Sequence, residues 1–312
     1  MTDVKKGLVL STGGAWGAFG VGTLARLDKK YDIVAGISTG AMMSPLAALG
    51  EHDALREAYT SVNDKNIFDH KWYRPKPITK KGKVNIFAVI YSLMFKKNSL
   101  ATTNAMRKTI DAFVKQEHYD RLIDEGKIVI VGAQNLREKP SKIHYFDVQK
   151  STFEDFKDWM WASASAPFYT SLGNKEWTDE NGNTHMGQWT DGGLTELVAM
   201  DEVFKMGAKE IDVIVHKIKP TPNYDVGDAY TLIDNLNRSI DAMRYDIEFE
   251  YLIEKAKYFA HRRNTTTNIY FLPRKLSNNA MIFNKKQMKE WWEEGYNTAF
   301  DENRILRFEA KK

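Results

Sequence analysis

Gly7-Leu8-Val9-Leu10-Ser11 is a short apolar run that leads into a glycine-rich loop, Gly13-Gly14-Ala15-Trp16-Gly17, and the residues after it read as a helix to Lys30. Phe19, Leu24 and Leu27 share one face of that helix. A second apolar run, Asp32 to Ile37, ends at Ser38, and a further helical segment, Ala41 to Leu49, begins at once. The order strand, loop, helix, strand, turn, helix specifies an α/β fold. Parallel strands joined by a helix pair through a right-handed crossover and end at the same edge of the sheet. The glycine loop and Ser38 are therefore expected to be neighbours.

Outward from this opening, Ile128 to Ala133, Ile143 to Val148, Ile211 to Ile218 and Asn268 to Leu272 are apolar runs of strand length. Asn181-Gly182 predicts a two-residue hairpin that delivers the chain to Asp191. Ile233, Leu236, Ile240, Met243 and Ile247 recur at three- and four-residue steps and predict a long amphipathic helix packed on the core. Lys217 to Asn223, with two prolines, is the only linker-like stretch, and the strand at Asn268 to Leu272 is expected to rejoin the main sheet. One domain over residues 1–312 is the expectation.

Composition narrows the class. The chain has 312 residues, 43% hydrophobic and 28% charged, within the range of soluble globular proteins and far from disordered or collagen-like chains. Lys and Arg number 45 against 41 Asp and Glu, a net +4 that does not indicate nucleic-acid binding. The absence of cysteine excludes disulfides, Cys-ligated zinc, iron–sulfur clusters and thiol catalysis, and leans towards a cytoplasmic location. No signal-peptide core follows Met1. The longest apolar stretch, Ile86 to Phe95, is ten residues long, about half of the ~20 that a membrane-spanning helix needs.

Gly36-Ile37-Ser38-Thr39-Gly40 is a G-x-S-x-G pentapeptide at a strand-to-helix turn, the context in which this motif presents a nucleophilic serine. The turn is too tight for side chains at the flanking positions, and the helix N-terminus favours developing negative charge. The backbone N–H groups of Gly13, Gly14 and Ala15 are candidate donors for the oxyanion formed when such a serine attacks a carbonyl. The loop fits neither phosphate-cradling glycine pattern.

The serine needs a base, either a histidine backed by an acid or a carboxylate acting directly. His216 and His261 follow Asp191, so the chain order Ser, Asp, His is formally present. Only two strands precede Ser38, however, too few for the α/β-hydrolase sheet order. His216 lies in an apolar strand and His261 between charged neighbours, so both read as structural or surface residues. The seven histidines form no recognisable ligand spacing, and no metal site is expected. Asp191-Gly192-Gly193 reads either as a carboxylate held at a strand end or as a plain turn.

Taken in order, Ser11 to Gly17, Gly36 to Gly40 and Asp191-Gly192-Gly193 resemble the blocks of the patatin-like phospholipases. Ala162-Ser163-Ala164-Ser165-Ala166-Pro167 and Gly207-Ala208-Lys209 add to the likeness, which spans residues 7–216. The resemblance implies a three-layer α/β/α sandwich with a mostly parallel central sheet. It implies a Ser38–Asp191 dyad, Gly13, Gly14 and Ala15 as oxyanion hole, and Gly17, Gly36, Gly40, Gly192 and Gly193 as supporting motif glycines. It also implies hydrolysis of acyl esters of phospholipids or lysophospholipids without metal or other cofactor. An aspartate with a free pKa of ~3.9 is a weak base for serine, which suits esters better than amides.

The sequence departs from the family pattern at Thr12, where a glycine is usual, at Trp16, where Arg or Lys is usual, and at Leu197 and Ala199, where Asn and Pro are usual. Two other readings stay open: a catalytically inactive lipid-binding or regulatory module, and a Ser-His-Asp esterase using His216 or His261. Ile86 to Phe95, flanked by Lys80, Lys81, Lys83, Lys96 and Lys97, is expected to be a buried helix covering the sheet or lining the acyl pocket, ahead of peripheral insertion at a membrane. The oligomeric state is not specified.

Overall fold

The computed structural model describes residues 4–69, 71–79, 83–170, 172–179, 181–219 and 247–310. β1 (Lys6–Leu10) and β2 (Ile33–Ile37) lie side by side and parallel, Leu10 opposite Gly36, with α1 (Gly17–Leu27) crossing between them. The remaining strands are β3 (Ile128–Asn135), β4 (Lys142–Asp147), β5 (Gly173–Thr178), β6 (Thr184–Asp191), β7 (Glu210–Ile218), β8 (Thr266–Leu272) and β9 (Ile305–Phe308). They form one sheet in the order β5-β6-β3-β2-β1-β7-β8-β9, with β4 also paired to β3. Strands β3, β2, β1, β7 and β8 run parallel, while β4, β5, β6 and β9 add antiparallel pairs at the margins. The sheet is thus mixed around a parallel centre.

The helices are α2 (Thr39–Leu49), α3 (His52–Thr60), α4 (Asp64–Ile67), α5 (Ile86–Met94), α6 (Asn104–Phe113), α7 (Gln116–Asp124), α8 (Phe153–Ser163), α9 (Met200–Lys205), α10 (Ile247–Arg263) and α11 (Lys285–Asn297). Because successive strand residues face opposite ways, the central strands feed two cores. Leu8, Leu10, Val34, Val131 and Ile214 pack with residues of α1, α2, α3, α8 and α11. Val9, Ile33, Ile130, Val213 and Phe271 pack on the other face with Val203, Leu252 and Ala256 of α9 and α10. Strands buried on both faces explain the continuous apolar runs in the sequence. Three layers, helix, sheet and helix, result.

Two expectations change. The Asn181-Gly182 turn belongs to a longer loop: the Asp179 N–H donates to Asn183 O and the Gly182 N–H to Asp179 O, with Gly182 at φ 84°. A positive φ at the last loop position is the mark of a bulged hairpin rather than a two-residue turn. Ile86–Met94 does form a helix, but it is not buried as a whole: Ala88 and Ser92 are buried, Val89 and Tyr91 half-buried, and Phe87, Leu93 and Met94 exposed. Small side chains one turn apart centre the contact face, leaving most of the large ones outward. Finally, Ile233, Leu236, Ile240 and Met243 of the amphipathic pattern lie outside the described residues, and Ile247 opens α10.

Candidate active site

Ser38 occupies the turn between β2 and α2 with φ 58° and ψ −121°, a left-handed conformation that costs a side-chain-bearing residue about 1–3 kcal/mol. The surroundings enforce it. A Cβ on Gly36 would come within 2.3 Å of the Gly40 carbonyl group, and one on Gly40 within 2.1 Å of Leu10 O, so only glycine fits on either side of the turn. The Ser38 N–H donates to Ser163 Oγ at 2.9 Å, and Ser163 Oγ in turn donates to Gly132 O at 2.6 Å. The strained residue is thereby tied to α8 and β3, and its side chain sits at the positive end of α2.

The register of β3 brings Asp191 to this turn. Ile37, the last residue of β2, lies opposite Gly132, and Asp191, the last residue of β6, lies opposite Ala133, the next residue along. β4 occupies the other edge of β3 over the same residues, so β6 takes over the edge that β2 leaves. Asp191 shares the face of Trp189, which packs in the same core as Ala133, Met160 and Ala15. The Asp191 N–H donates to Ser165 O at 2.9 Å, and the carboxylate Oδ1 accepts the Gly193 N–H at 2.8 Å. Ser38 and Asp191 are both 7% exposed.

Gly192 and Gly193 leave room for this arrangement. A Cβ on Gly192 would meet Gly132 O at 2.6 Å, and one on Gly193 would meet Thr12 Cγ2 at 2.4 Å. Thr12, one departure from the family pattern, therefore packs directly against the aspartate's loop. Its N–H donates to the carbonyl of Leu197, a second departure, at 3.4 Å.

The glycine loop closes the site from β1. Gly14 has φ 52° and borders the cavity beside Ser38. The three candidate amides differ: the Ala15 N–H donates to Ala280 O at 2.8 Å, whereas those of Gly13 and Gly14 have no acceptor among the described residues. Ala15 is thus engaged in holding the loop. Gly17 lies where a Cβ would meet Thr39 Oγ1 at 2.6 Å, which lets α1 approach the start of α2. Trp16, where a cation is usual, donates its Nε1–H to Ser277 Oγ at 2.8 Å, and the Lys217 ammonium stands 5.5 Å from its ring centre.

Ser38 and Gly14 border a cavity of about 820 Å³, open mouth included, lined chiefly by apolar side chains such as Leu46, Ile110 and Phe113. Five methionines, Met42, Met106, Met160, Met281 and Met288, also line it. Unbranched thioether side chains adapt to a flexible apolar ligand. An extended hydrocarbon chain attached to a carbonyl at Ser38 suits this space.

The histidines stand apart from the serine. His216 is fully buried beneath the loop, where a Cβ on Gly13 would meet its Cβ at 2.4 Å. Its Nδ1–H donates to Ser11 O at 3.0 Å, and its Nε2 has no partner among the described residues. Desolvation lowers its pKa to about 4, so the ring is neutral at physiological pH. His261 is exposed in the last turn of α10, on the opposite face of the sheet from the cavity. Among the described residues no group of three His, Asp or Glu is arranged to hold a metal ion.

Two supports carried no role in the sequence reading. Ser163 and Ser165, in the run Ala162 to Pro167, hold Ser38 and Asp191 respectively, one through its hydroxyl and the other through its carbonyl. Tyr59 donates to Thr39 O at 2.9 Å and faces Thr39 Oγ1 at 2.7 Å, with burial raising its phenol pKa well above the usual range. A lone tyrosine in an amphipathic helix gives no signal that it braces a turn twenty residues away.

The family model of the patatin-like phospholipases matches residues 8–203, more than half of the chain, from within β1 to within α9. No curated protein matches the sequence. Among solved structures, VipD from Legionella pneumophila superimposes with a TM-score of 0.47 at 13% identity, covering 98% of this chain and 68% of that one. Human GIVD cytosolic phospholipase A2 superimposes with a TM-score of 0.39 at 7% identity, covering 77% of this chain and 48% of that one, so this chain spans about half the length of the human enzyme. With the family match covering the serine turn, the glycine loop and the aspartate, the chain belongs to the patatin-like phospholipase family.

Proposed function

We propose that this protein hydrolyses fatty-acyl esters of phospholipids or lysophospholipids through a Ser38–Asp191 dyad. The observation that carries the reading is the β3 register, with Ile37 opposite Gly132 and Asp191 opposite Ala133, next to a Ser38 that borders an apolar cavity. In this mechanism Ser38 Oγ attacks the ester carbonyl carbon while Asp191 takes the hydroxyl proton. The Gly13 and Gly14 amides stabilise the oxyanion. Collapse of the tetrahedral intermediate breaks the bond to the alcohol, which leaves with the proton from Asp191. Water then gives a proton to Asp191 as it attacks the acyl-enzyme, and the fatty acid departs as Ser38 recovers its proton.

Intact-mass detection of fluorophosphonate labelling tests the dyad without a guess about substrate. A single adduct on the wild type that is lost in Ser38→Ala and in Asp191→Asn is the expected result. An adduct that survives in Asp191→Asn would remove the aspartate as base, and no adduct on the wild type would favour a lipid-binding module over an enzyme.

A further inference from the structure

Between His70 and Ile110 the chain carries ten Lys or Arg and no Asp or Glu, whereas the whole chain carries 45 against 41. The rest of the protein is therefore net acidic, and positive charge is concentrated in one segment. Within that segment α5 turns its large apolar side chains to solvent: Phe87 is 68% exposed, Leu93 73% and Met94 72%. Ile86, Ile90 and Phe95 are exposed beside them. Trp72, 97% exposed, stands edge-on to Tyr73 with ring centres 5.7 Å apart.

The helix is held at its opposite face, where the Ser92 hydroxyl donates to Ser99 O at 2.9 Å. Lys83 precedes it and Lys96 and Lys97 follow it, while Lys71 and Lys76 lie near Trp72 in the sequence. All five lysines are exposed, and none forms an ion pair among the described residues. Contiguous exposed apolar surface on a folded protein marks an interaction site. An apolar helix face bracketed by lysines, with an exposed tryptophan nearby, matches the chemistry of an anionic bilayer surface. A second copy of the chain would set lysine against lysine.

The face also connects to the site. The Leu100 N–H donates to Phe168 O at 3.0 Å and the Ala101 N–H to Tyr169 O at 2.9 Å, and Thr170, paired with Ala101, lines the cavity. We propose that α5 and Trp72 dock the protein on an anionic bilayer, presenting the cavity mouth to lipid. This rests on the reading of the cavity as the acyl site. At nine residues α5 is too short to cross a bilayer, so the contact is peripheral.

Co-sedimentation of the Ser38→Ala protein with vesicles tests the docking without hydrolysis, using phosphatidylcholine alone or mixed with phosphatidylserine. Two further forms carry, in addition, either Phe87→Ser with Leu93→Ser and Phe95→Ser, or Lys96→Glu with Lys97→Glu. The parent should bind the phosphatidylserine vesicles and weaken with salt, and each variant should lose about tenfold in affinity or more. The same surface changes in the protein with Ser38 intact should leave hydrolysis of a short soluble ester unchanged. Equal vesicle binding by parent and variants, no binding by the parent, or a dimer that dissociates in the serine variant would overturn the proposal. Vesicle binding by a protein that hydrolyses no ester would support docking and remove the hydrolase reading.

Discussion

The main-chain N–H of Ser38 is held by the hydroxyl of Ser163, which passes the hydrogen bond on to the Gly132 carbonyl. Three elements, α2, α8 and β3, thus meet at one hydroxyl. The relay explains how a serine with φ 58° keeps its strained conformation.

Ser163→Ala should therefore leave a buried N–H and a buried carbonyl without partners, costing about 1–3 kcal/mol. Denaturant unfolding measures that cost, and the rate of fluorophosphonate labelling at Ser38 should fall with it. Unchanged stability and unchanged labelling together would show that the relay carries no strain.

Gly40→Ala drives a methyl group to 2.1 Å from Leu10 O, a backbone atom that cannot swing aside. Overpacking at such a point costs about 1–3 kcal/mol or more. The variant should unfold at lower denaturant concentration and lose labelling at Ser38. Wild-type behaviour in both assays would contradict the tight turn.

His216 supplies a pH dependence. Its folded-state pKa of about 4 lies below its ordinary value of 6.5, because the bare Nε2 is buried and without a partner among the described residues. The unfolded chain binds a proton there before the native protein does, so stability falls as pH drops from 6.5 towards 4 and is fully present above 6.5. The loss accumulated between neutral pH and pH 4 is about 3 kcal/mol. His216→Gln should flatten the pH dependence of the unfolding midpoint in that window, and an unaltered slope would assign the loss to other groups. Labelling at Ser38 should survive the substitution, since the imidazole bonds to Ser11 and not to Ser38.

Ala58 lines the cavity with a small side chain. Ala58→Phe should shorten the acyl chain accepted, lowering turnover of long-chain esters roughly tenfold or more while leaving a short-chain ester within about twofold. A parallel fall in both would mean that the cavity is not the acyl site, or that the substitution disturbs α3.

The strands legible as apolar runs are all present, and those at the centre of the sheet read as continuous runs because both of their faces are buried. The Asn181-Gly182 turn was less legible, since the pair allows a positive φ without stating how many residues surround it. Ile86 to Phe95 misleads in the same way. A run of uniformly apolar residues has no polar face to set its orientation, and the contrast that decides it is size, with Ala88 and Ser92 inward and Phe87 and Leu93 outward.

What the sequence by itself determined is local: a strand-turn-helix in which only glycines fit beside Ser38, a glycine loop at the end of the neighbouring strand, and a chemistry without thiols. Those features depend on backbone sterics and on pairing through a single crossover. What only the tertiary structure decided is the company these residues keep. Asp191 meets the serine turn because β6 continues along the edge of β3 that β2 vacates, and Ser163 reaches Ser38 from the end of α8. Both are long-range pairings, specified by register and packing across the whole sheet, and no short stretch of sequence contains them.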